Sequence, residues 1–219
     1  MNENFVSLKL DGEKGDGLQL MNEFSLDSYP TMLFLNSEMD LLKKIVGVVG
    51  AEQIEEAGNA VMHPEETVIY QLEQKYKAGN RDRDVLAAYA VELLNADREM
   101  EAIVDEFLEK YPEPDLEDEN EFLVFCLGVV DRDHASMNGF LGNLEGLAEI
   151  HGDFVMTKLN MILLSIVNDA IEAKDQSTMA KELDKIFPFY QEFVAEEAAV
   201  SKEEILEMMT EMYLEEVGE

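Results

Sequence analysis

The sequence predicts an α+β protein, mostly helical overall: a short α/β domain over residues 1–62, then an all-α domain over residues 63–219. Three observations predict this. Two compact apolar runs, Thr31–Leu35 and Leu41–Gly47, flank the polar turn "NSEMD". An alternating stretch, Phe5–Asp11, precedes them. From His63 onward apolar residues recur at helical spacing.

The elements follow in order. "FVSLKLD" sets Phe5, Val6, Leu8 and Leu10 against Ser7 and Lys9, which suits a strand with at least one buried face. "DGEKGDG" breaks regular structure, and Leu18–Phe24 is a short helix. Thr31–Leu35 after Pro30, and Leu41–Gly47, form a β-hairpin. Ala51–Val61 closes the unit as a helix.

In the second domain Pro64 suits a first helical position. Val68, Ile69, Leu72 and Tyr76 mark one helix face, and Gly79-Asn80 stops that helix. Val85, Leu86, Tyr89 and Leu93 mark the next. Met100, Ile103, Val104, Phe107, Leu108 and Tyr111 follow the amphipathic pattern closely. "PEPDLEDENE" is expected as an acidic loop and Phe122–Val130 as a central helix, being apolar all round. Phe154–Ile171 is a long, mostly buried helix. Leu183, Ile186 and Phe187 precede Pro188, which is expected to end or kink their helix. Ser201 with Glu204 is a capping box opening a last helix, with Ile205, Met208, Met209, Met212 and Tyr213 inward. Helix pairs recurring roughly every 35 to 40 residues give a TPR-like or irregular helical array.

Composition restricts function. The 16 Lys+Arg against 49 Asp+Glu leave a net charge of −33, which repels phosphate backbones and anionic membranes; no nucleic-acid or membrane partner is expected. A basic protein or peptide partner is compatible with it. The single cysteine, Cys126, lies in "FLVFCLGVV" and reads as a buried thiol, so neither an internal disulfide nor a cysteine-based zinc site is available. The start of the chain lacks a basic, apolar leader, and Met161–Val167 falls short of a membrane span.

Other chemistry fails on spacing. Counted from Asp11 as an EF-hand loop, the sixth and twelfth positions are Asp16 and Asn22, where glycine and a bidentate acid are needed. The loop Pro114–Glu121 reads as solvated acid. His63, His134 and His151 have no partners at metal-ligand spacing, and helix capping accounts for His63 and His151. No metal or cofactor is expected. Met208, Met209 and Met212 could form an adaptable peptide-binding face, with ordinary core the favoured reading.

Residues Asn4 to Val61 resemble the later part of a thioredoxin-like domain. "FVSLKLDGEKGDG" is similar to a strand and following loop of that family, "LDSYPTMLFL" to its cis-proline loop entering the next strand, and "LLKKIVGVVGAEQIEEA" to its last strand and closing helix. A long helical extension fits the family too. The resemblance implies a cis peptide between Tyr29 and Pro30. It also implies a loop, Tyr29-Pro30-Thr31, that docks extended substrate. The Cys-x-x-Cys and its strand and helix are absent before Asn4, and Cys126 cannot replace them, so the chain as it stands is expected to be redox-inactive.

In the family's sheet the missing strand lies between those matching Phe5–Asp11 and Thr31–Leu35. Three outcomes follow: the two strands close up, a second molecule fills the gap as a homodimer through exposed edges, or the protein starts further upstream. The last is favoured, with dimerisation second. Two functional readings stand. In one, the chain is part of a thiol–disulfide oxidoreductase whose catalytic half and export signal lie upstream, which would place it in the periplasm or otherwise outside the cytoplasm. In the other it is a non-catalytic protein-binding scaffold that uses the helical array, cytoplasmic as written.

Overall fold

A computed structural model describes residues 4–194 and 200–218. It is mostly helical, with a small two-stranded antiparallel hairpin near the N-terminus. The chain divides into two compact units, Met1–Gln74 and Lys75–Glu219.

The first unit contains α1 (Gly15–Glu23), β1 (Thr31–Leu35), β2 (Leu41–Val46), α2 (Ala51–Met62) and a 3₁₀ turn, Pro64–Glu66. Helix α3 (Val68–Lys77) runs across the boundary. β1 and β2 pair as expected, Thr31 opposite Val46 and Leu33 opposite Lys44, with an irregularity between Phe34 and Leu35. Asn36 closes the turn: its Oδ1 accepts from the backbone N–H of Glu38 and Asp40, each at 2.9 Å. α2 packs against β2 and the 3₁₀ turn.

One expectation in this unit fails. Residues 5–11 form no strand. A strand is completed by a neighbour, and no described strand lies beside this stretch. Phe5 meets Phe34 edge to face at 5.5 Å, but Val6 is 93% exposed and Leu8 79%. Among the described residues of the unit, the buried apolar side chains are Phe34, Ala57 and Leu72.

The second unit holds α4 (Arg83–Asn95), α5 (Glu101–Lys110), α6 (Glu119–Gly128), α7 (Ala135–Leu141), α8 (Leu144–His151), α9 (Phe154–Ala173), α10 (Ser177–Phe193) and α11 (Lys202–Val217). α4, α5 and α6 pack on one another, and α9 packs on α8, α10 and α11. α6 serves both groups, because Phe122, Phe125, Cys126 and Val129 join the core cluster built with α7 to α11. A Cβ at Gly128 would lie 2.4 Å from Val104 Cγ1, so only glycine lets α6 come this close to α5. α9 is long and apolar enough to cross a membrane by length and composition. Its Val155, Leu159, Ile162, Ile166, Val167 and Ala170 lie in the core cluster, as in the central helix of a helical core.

Three details depart from the pattern in the sequence. Pro188 does not end α10, which continues to Phe193 because Ile186 and Tyr190 are buried on either side of it. In α11 the seam is Ile205, Met209 and Tyr213, at strict i, i+4, i+8 spacing; Met208 and Met212 lie on the adjacent stripe and face out. The acidic loop is shorter than expected, because Asp118 caps α6 by accepting from Glu121 N–H at 3.0 Å, which places Glu119 and Glu121 in the first turn.

Candidate functional site

The residues singled out from the sequence, Tyr29, Pro30 and Thr31, lie where the chain enters β1. The Tyr29–Pro30 peptide is cis, as the resemblance implied. Thr31 Oγ1 donates to the Ser28 carbonyl at 2.6 Å and bridges the loop. Gly12 lies against the Tyr29 ring: a Cβ there would sit 2.6 Å from Tyr29 Cε1, so the glycine-rich loop is glycine where the aromatic passes. The ring is nevertheless 60% exposed.

The backbone at this point has a defined phase. Gly47 N–H donates to the Pro30 carbonyl at 2.7 Å, so Pro30 and Gly47 are a bonded pair. Antiparallel pairs alternate between bonded and non-bonded. Met32 with Ile45 is therefore the next bonded pair, and the N–H and C=O of Thr31 and Leu33 turn to the outer edge of β1. That edge meets no strand among the described residues. The Tyr29 N–H and C=O, in the bend just before β1, have no backbone partner among the described residues.

The thiol has no place in this arrangement. Cys126 is free and buried in α6, and burial pushes its pKa up to about 11. A thiol so shifted is almost wholly protonated near neutrality and is a poor nucleophile.

The histidines depart in part from expectation. His134 is the one that caps, its Nδ1 accepting from Ser136 N–H at 3.3 Å. His151 stacks on Phe122 with centroids 3.9 Å apart and hydrogen-bonds the Leu116 carbonyl at 2.7 Å. His63, Glu65 and Glu66 bring ligand-type atoms within 4.8 Å of one another, all on exposed side chains. A shallow hollow of about 480 Å³ is bounded by Glu113, Asp115, Glu117, Ser136 and Asn143, with no lysine, arginine, histidine or cysteine in its lining.

Two polar clusters had no clear signal in the sequence. Glu121, only 4% exposed, holds Arg83 through two bonds of 2.5 Å and accepts from Asp115 N–H at 2.6 Å. Its bond raises the Arg83 pKa. The D-x-x-E spacing of Asp118 and Glu121 marks a helix start but not that partner. Lys158, 2% exposed, reaches from α9 to the end of α6 and donates to the carbonyls of Phe125 (3.3 Å), Cys126 (3.1 Å) and Val129 (2.6 Å). Burial lowers its pKa to about 8. Both clusters join helices; the Lys158 amine is buried and committed to three carbonyls, and the pKa of neighbouring Cys126 is raised.

Comparison with known proteins gives no match: no protein-family model, curated protein or solved structure matches this chain.

Proposed function

We propose that the chain is a thioredoxin-like protein without redox activity, whose N-terminal unit docks an extended polypeptide along the outer edge of β1, with Tyr29, Pro30 and Thr31 at the docking point. The observation that carries this is the phase of the β1 backbone. Thr31 and Leu33 offer N–H and C=O groups along one edge that pairs with nothing among the described residues, and the exposed Tyr29 lies just before it. An open edge of this kind recruits another strand through main-chain bonds, with alternate side chains adding selectivity. The thioredoxin-like reading is supported by the order α1, cis-Pro loop, β1, β2, α2 in the residues that carry the resemblance. The redox-inactive reading is supported by the buried, high-pKa state of Cys126.

Leu33→Pro tests the edge. Proline is tolerated on an edge strand where its missing N–H faces away from the ladder. The substitution therefore removes one outward donor and leaves the bonds to β2. The probe is fluorescein-labelled ribonuclease, reduced and alkylated with iodoacetamide so that its cysteines stay neutral and it remains an unfolded basic polypeptide, followed by anisotropy. Saturable binding that the variant weakens at least about tenfold, with helix content unchanged, is expected. Equal binding by both proteins, or no binding by either, refutes the proposal. The chain should also leave insulin disulfides intact in the presence of dithiothreitol beyond the rate of the reagent alone.

A further inference from the structure

α11 carries apolar side chains that its own packing does not use. Ile205, Met209 and Tyr213 form its buried seam, while Met208 and Met212 remain 56% and 41% exposed. Side chains at i and i+4 are neighbours on a helix surface, so the two thioethers make one continuous strip beside the seam. Methionine is unbranched and polarizable, and it adapts to apolar partners of irregular shape.

The solvent side of the strip is acidic. Glu207, Glu211 and Glu215 follow it along the helix, all exposed and without a hydrogen bond or ion pair among the described residues. Glu204 precedes them and is held in the capping box with Ser201. The only basic residue of the helix, Lys202, is paired with Asp184. No cation on α11 itself therefore offsets the glutamates flanking Met208 and Met212.

We infer that this face of α11 is a docking surface for a basic amphipathic helix of a partner protein. Met208 and Met212 take its apolar side chains, and Glu207, Glu211 and Glu215 meet its lysines or arginines. Apolar contact supplies the affinity and charge complementarity selects the partner and speeds encounter. A second copy of the chain is a poor occupant, since each copy carries −33 and the face itself is acidic. The inference shares no residue with the β1 edge and stands or falls separately.

The test uses the full chain with ¹³C-labelled methionine methyl groups. The probe is a designed peptide of leucine and lysine alone, about four helical turns long, with leucines at helical spacing. Its control is a scrambled peptide of the same composition, which keeps the charge but loses the apolar face. Saturable shifts of the Met208 and Met212 signals with the first peptide, and not with the control, are expected. The double variant Met208→Gln, Met212→Gln should weaken binding at least about tenfold with an unchanged melting curve. Glu207→Gln with Glu211→Gln should weaken it too and flatten its salt dependence. Equal binding of the scrambled peptide would show charge attraction alone and overturn the inference. Shifts confined to other methionines, or no saturable binding, would do the same. Self-association abolished by the methionine double variant would assign the strip to a second copy and not to a basic helix.

Discussion

Replacing Lys158 by methionine separates two opposing contributions in the centre of the helical unit. The side chain keeps its length and loses its ammonium. Lys158 is 2% exposed and its Nζ donates to three carbonyls at the end of α6. Hydrogen bonds to a charged group contribute about 2 kcal/mol each, so about 6 kcal/mol is lost. Burial lowers the Lys158 pKa from 10.5 to about 8. Burial therefore penalises the charged form, a cost that the variant no longer bears and that offsets part of this loss. The variant should therefore be less stable by about 2–3 kcal/mol at pH 7, read from urea unfolding followed by far-ultraviolet circular dichroism. The pH dependence has a definite sign. With the folded pKa below the unfolded one, the unfolded chain binds more protons between about pH 8 and 10.5, so wild-type stability rises with pH across that window. The variant lacks this rise, and the gap between the two proteins should widen towards pH 10. A variant as stable as the wild type at pH 7, or a gap that stays constant with pH, would refute the reasoning.

Three further outcomes are expected. Glu121→Gln leaves the Arg83 guanidinium without its buried carboxylate and should cost about 3 kcal/mol; a double-mutant cycle with Arg83→Met should show coupling above about 1 kcal/mol. The hydroxyl of Tyr76 and then the Arg81 guanidinium hold the Glu106 carboxyl below the usual carboxylate range, so the stability it contributes is present above the unfolded pKa and lost as pH falls through the folded one; Glu106→Gln should flatten the acid limb of the stability profile between pH 5 and 3, a window set by the ordinary carboxylate value of about 4.3. With its pKa near 11, Cys126 should be about one part in a thousand thiolate at pH 8, so Ellman's reagent should label it only in denaturant, and rapid labelling of the native chain would contradict its burial.

What could be read from the sequence was local. The hairpin was legible because its two runs and their turn are contiguous and Asn36 supplies the turn chemistry. The start of α11 was legible because Ser201 and Glu204 bond reciprocally within one turn. Phe5–Asp11 shows the opposite case: alternation marks a strand face, but pairing needs a neighbour that the pattern cannot supply. Glu121 looked like solvated acid because its partner, Arg83, lies 38 residues earlier. Lys158 carries no signal of its role in the sequence because its three acceptors lie at the end of another helix. Of the candidate site, Tyr29, Pro30 and Thr31 are adjacent and were found together. The direction in which the β1 backbone presents its donors was not, since it depends on the bond from Gly47 to Pro30. Met208 and Met212 shared a helical period with the seam, and only the width of the packed stripe separates them from Met209.

The uneven distribution of buried side chains has a consequence for anyone who heats or digests this protein. Among the described residues, Phe34, Ala57 and Leu72 are the buried apolar side chains of the first unit, whereas a continuous cluster from Phe122 to Tyr213 holds α6 to α11. Cooperative unfolding requires a shared core, and regions with few buried contacts open at lower free energy. A thermogram of the whole chain therefore reports almost entirely on the helical unit. A brief protease digest should strip the hairpin first and leave a helical fragment with nearly the same midpoint, so a single melting temperature is an incomplete description of the molecule.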